Sequence, residues 1–170
     1  MMTRALTKLE KMKLVLKDTL LIGSGILGVA LFCAAPFLQI LYLPAFLLVF
    51  NAFDLLGYRN VLRSEQFEDP TNKQTPSYRI MQTMFEMALL TIIALTSNIW
   101  VSLTVKISHW FGAQDVLYYL IGKYKFDEVF TWLKWTPLGI VKGSLSKNKV
   151  IIQASIGILV SAFLIIYLGK

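Results

Sequence analysis

Apolar residues along this chain come in long runs separated by short polar stretches, without the period-two or amphipathic spacing of a soluble domain. Residues 19–56 contain no Lys or Arg, and Asp54 is their only charged side chain. As one straight helix that stretch would reach about 55 Å, nearly twice a hydrocarbon core of ~30 Å. It must double back. Pro36 and Pro44 mark the place, because proline breaks the helical hydrogen-bond ladder. The pattern therefore predicts spans at about 19–37 and 39–57. Ser24 with Gly28, and Ala30 with Ala34, set small side chains four residues apart, a spacing that lets helices approach closely in lipid.

A polar loop follows over 58–79, with Pro70 and Pro76, and then a third span at about 80–105. The shorter segment 107–122 reads as a fourth span and 150–168 as a fifth, with Gln153, Gly157 and Ser161 on one face. Between them, in the loop 123–149, Phe126, Val129, Phe130 and Leu133 fall at i, i+3, i+4 and i+7 beside Trp132 and Trp135. That spacing predicts an amphipathic helix in the cytoplasmic interface, stopped by Pro137. Leu6, Leu9, Met12 and Leu16 recur at helical spacing among the lysines of the N-terminal arm, so the arm is expected to lie along the membrane surface. The apolar run after it is too long for a signal peptide and is read as a retained span.

Composition agrees. The chain of 170 residues is 56% hydrophobic and only 16% charged, against about 45–50% and 25% in soluble domains. The fold class expected is all-α, a polytopic transmembrane bundle of about five spans plus the interfacial helix, in one domain. Charge sets its orientation. A net +7 could suggest nucleic acid, but in a membrane protein basic residues mark the cytoplasmic loops. With the N-terminus cytoplasmic and 107–122 crossing, only Lys106 and Lys170 of the 17 basic residues lie outside. Four spans would instead export the six lysines between 123 and 149. The partners expected are the bilayer, a lipid or isoprenoid ligand and possible membrane-protein partners, with no nucleic acid.

Ionisable groups inside spans are costly and are the first candidates for function. His109, Asp115, Tyr118 and Tyr119 form the candidate catalytic set: a lone histidine suited to proton transfer, and a carboxylate three and four residues before two phenols. Glu86, Asn98, Trp110 and Gln114 are candidate ligand-lining residues. His109 and Asp115 are six residues apart, about 240° around one helix, and face each other only if the helix breaks at Gly112. Glu86 and His109 would stand about 34 Å apart on a straight helix, which excludes a shared site. Asp54 is expected to pair with Arg59 or a loop lysine. One histidine, one cysteine (Cys33) and scattered carboxylates give no metal-ligand spacing, and no phosphate loop is present, so no cofactor is expected.

Three function classes fit. The favoured one is an intramembrane enzyme or binder acting on a lipid or isoprenoid by proton transfer. The alternative is a non-catalytic subunit or assembly factor packing through its small-residue faces. A small transporter ranks below both, since no internal repeat is present.

Overall fold

The computed structural model describes residues 8–67 and 74–169, and side chains over 19–57 and 77–169. The first part of the N-terminal arm, the middle of the polar loop and Lys170 lie outside the described residues. Helix α1 (Lys8–Ala34) and helix α2 (Tyr42–Phe67) make an antiparallel hairpin. Pro36 sits in the turn, and Pro44 occupies the first turn of α2, where no backbone donor is needed. The two helices touch closely at Gly28: a Cβ there would stand 2.8 Å from the Val49 side chain. Part of the expected 58–79 loop is helical, since α2 runs to Phe67 and the next helix begins at Gln74.

The largest departure from the sequence pattern lies in the expected 80–105 helix. Helix α3 (Gln74–Thr96) stops, the chain reverses at Ser97 and Asn98, and helix α4 (Ile99–Trp110) returns beside it. Asn98 causes the reversal: its backbone is extended and its side chain accepts from Val101 N at 2.9 Å, capping α4. The Ser102 hydroxyl closes the hairpin by donating to Leu90 O at 2.7 Å. Gly112, at φ 82°, then breaks the returning strand of the hairpin before helix α5 (Ala113–Gly122). The Phe111 carbonyl near the break accepts from Gln153 Nε2 at 3.0 Å.

The expected amphipathic helix over 124–141 is not formed. Val129–Phe130 (β1) pairs antiparallel with Leu145–Ser146 (β2), a 3-10 turn spans Leu133–Trp135, and a short helix α6 covers Pro137–Lys142. Phe130, Leu133, Leu145 and Val150 bury one another in a small core of their own. Pro137 begins a helix here, behind the capping hydroxyl of Thr136. Helix α7 (Lys147–Leu168) turns Val150, Gln153, Ala154, Gly157, Ser161 and Ile165 inward, one stripe of a helix.

The main core joins Tyr42, Phe46 and Phe50 of α2 to Ile93 of α3 and to Val101 and Val105 of α4. One end of the bundle collects the turns at 35–41 and 97–98 and the end of α7. Tyr42 donates to Thr96 Oγ1 at 2.7 Å, and Asn98 Nδ2 reaches Leu168 O at 3.4 Å. Neither turn carries a charged residue. The fold is mostly helical, and three stretches within its helices are long and apolar enough to cross a membrane: Gln39–Gly57, Ser77–Thr96 and Lys147–Leu168.

A candidate functional site between four helices

Four helices turn polar faces toward one cavity of about 1040 Å³. From α3 come Arg79, Gln82, Thr83 and Glu86, spaced i, i+3, i+4 and i+7 and so on a single stripe. Helix α4 supplies Lys106 and His109, α5 supplies Gln114, Asp115, Tyr118 and Tyr119, and α2 supplies Phe50 and Asp54. Trp132 and Trp135 add aromatic wall from the segment before α6.

The centre of the cluster corrects the expectation that Glu86 and His109 are too far apart to meet. Because the chain folds back at Ser97–Asn98, the two side chains lie side by side, with His109 Nδ1 2.5 Å from Glu86 Oε1. Lys106 donates to the same carboxylate oxygen. The side chains of Glu86 and His109 are 10% and 12% exposed, so the pair is largely withdrawn from solvent. In the tautomer assigned by this contact, Nδ1–H donates to Glu86 and Nε2 keeps its lone pair. Among the described residues no hydrogen bond engages Nε2. Phe50 and Trp135 flank the imidazole, with centroids 5.1 and 5.6 Å from its own.

Asp115 reaches the same cavity because the helix does break at Gly112, the one condition under which it and His109 could face a common space. Of the two tyrosines on its helix, Tyr119 donates to Asp127 at 2.7 Å, and Tyr118 stacks on Tyr124. Gln114 is buried against Asn51, their side-chain amides 3.1 Å apart. Asp54 accepts from Tyr78 at 2.6 Å and from Gln82 at 2.7 Å; the side chains of Arg59 and Lys73, its expected partners, lie outside the described residues. Of the expected lining residues, Glu86 and Gln114 face the cavity, whereas Asn98 and Trp110 do not. Asn98 caps α4, and Trp110 Nε1 holds Trp135 O at 2.8 Å, a structural tie behind the wall.

Lys106, Phe50, Gln82 and Trp135 escape a reading from sequence. For Lys106 a signal was present: a lysine three residues before the only histidine, on one helix face. Among the described residues no group of three or more His, Cys, Asp or Glu is placed to hold a metal ion. No protein family, curated protein or solved structure matches this chain.

Proposed function

We propose that the chain is an integral membrane protein of five spans, formed by α1, α2, α3, the α4–α5 pair and α7, with its N-terminus in the cytoplasm. In this reading its cavity binds a lipid or isoprenoid amphiphile, and His109 moves a proton on it. Taken together, α4 and α5 supply 12 and 10 helical residues on either side of the break, about 33 Å of helix, enough for a fourth span. The uncharged turns at 35–41 and 97–98 then lie outside, and the basic stretches 58–79 and 123–149 lie inside.

The observation that carries the functional reading is the Glu86–His109–Lys106 cluster beside a large cavity. Glu86 and His109 lie roughly 15–17 Å along their helices from the Ser97–Asn98 turn, near the middle of the proposed bilayer. A carboxylate that holds Nδ1 of a histidine orients the ring and stabilises its charged form. The free Nε2 takes a proton from a bound hydroxyl and returns it, and Asp115 supplies a second carboxyl lining the same cavity. The rival reading as a non-catalytic subunit loses part of its support, because several of the small residues behind it are used within the bundle, although Ala30 stays exposed. Gly28 packs on α2, Gly157 packs on Phe111, and Ser161 donates to Thr104 O at 2.9 Å.

The test is lipid retention. Purified from membranes, the wild-type chain is expected to carry a co-extracted amphiphile that mass spectrometry identifies. His109→Gln and Asp115→Asn are expected to lose it while keeping a cooperative thermal transition. The same lipid profile in all three proteins rejects the reading.

A further inference from the structure

The α3 wall of the cavity is also part of the outer surface of the bundle. Thr83 lines the cavity, yet it shares a helix face with Ile80 and Met87, which are 63% and 57% exposed. Such apolar exposure belongs against acyl chains. Trp135, also a wall residue, is 42% exposed. The cavity therefore meets the surface on its flank, and in a bilayer a ligand enters it from the lipid.

Charge then selects among lipids. Asp54, Glu86, Asp115 and Asp127 line the cavity against Arg79, Lys106 and Lys125, of which Lys106 is held by Glu86 and Arg79 donates to Gln82. A phosphate head would meet more carboxylates than cations in this lining. An uncharged head does not. Within the cavity it finds flat walls, Phe50 and Trp135 on either side of His109, and the unengaged Nε2 as its hydrogen-bonding partner. Offset ring stacking and one directional hydrogen bond recognise a planar ring that bears oxygen.

We infer that the ligand is of the quinol class, an uncharged hydroxyl-bearing ring on an isoprenoid or alkyl tail. It enters between Thr83 and Trp135 and donates a ring hydroxyl to His109 Nε2, while its tail remains in the bilayer. This rests on the proposed reading of the cavity as a site for membrane amphiphiles, and it specifies the head.

The experiment uses the full chain in lipid nanodiscs with two photoreactive probes, an azidoquinol with a short isoprenoid tail and a benzophenone analogue of farnesyl phosphate. The quinol probe is expected to label peptides containing Trp135 or His109, with excess unlabelled quinol suppressing the reaction. Thr83→Phe, at the exposed rim where folding is not at stake, and His109→Gln are each expected to weaken labelling about tenfold, the equivalent of one good polar contact. Competed labelling by farnesyl phosphate alone overturns the quinol assignment and leaves the amphiphile reading standing. Failure of both probes removes that reading and the inference with it. Undiminished quinol labelling in Thr83→Phe overturns entry by the flank.

Discussion

Glu86 and His109 stand equally far from the turn at Ser97–Asn98, one on each arm of the α3–α4 hairpin, and meet with Oε1 and Nδ1 2.5 Å apart. Two ionisable groups that a continuous helix would keep at opposite faces of a membrane become one cluster. Lys106, one turn before His109, completes it.

Removing one member of that cluster strands another. Glu86→Ala is expected to destabilise the fold by about 1–3 kcal/mol, less than the 3–5 of a fully buried pair because the Lys106 side chain is 41% exposed. Adding Lys106→Met should recover most of the loss. Thermal unfolding of the four proteins of this cycle in detergent measures the coupling, and additive losses would show that no pair exists.

Gly157 is fixed by contact with α4. A Cβ there would lie 2.3 Å from Phe111 Cβ. Gly157→Leu should therefore force α4 and α7 apart, costing about 1–3 kcal/mol, and Phe111→Ala should partly relieve it. Unchanged thermal stability in Gly157→Leu means that the two helices are not packed at this point.

The hairpin is open to a direct chemical test. In a Cys33→Ala background, a cysteine at Ser97 should react with an impermeant thiol reagent on intact cells, and one at Ser146 should not. Labelling at Ser146 with Ser97 protected would invert the proposed topology.

Asn98 should behave as a cap. Asn98→Ala is expected to cost about 1 kcal/mol and Asn98→Asp to retain most of the stability. Equal losses in both would assign the residue's role to its contact with Leu168 instead.

Long apolar runs and prolines made much of this architecture legible. The α1–α2 hairpin at Pro36, the end of α7 at Leu168 and its inward face of Gln153, Gly157 and Ser161 all follow from sequence pattern. The α3–α4 turn was hidden because it uses two residues and neither glycine nor proline. Its trace is a Ser-Asn pair just ahead of Ile99, a capping signature that the surrounding apolar run obscures. In 124–141 the period was present but misleading. Phe130 and Leu133 are inward-facing through a strand and a 3-10 turn, not through a helix, and Thr136-Pro137 marks a beginning where proline alone suggested an end. Within the site, the identities of His109, Asp115 and Glu86 were visible as isolated polar residues. Their juxtaposition was not, because it depends on one turn and one left-handed glycine.

The Glu86–Lys106 contact also bears on how the chain reaches the bilayer. Entering alone, a helix carrying Lys106 near its centre would face a penalty of about 2.5–3.5 kcal/mol at the translocon, and α3 would bring an unmatched carboxylate. Delivered together as a preformed pair, their charges satisfy one another before lipid surrounds them. Biogenesis is therefore expected to hold α3 beside the translocon until α4 has been synthesised, and to release both laterally in a single event.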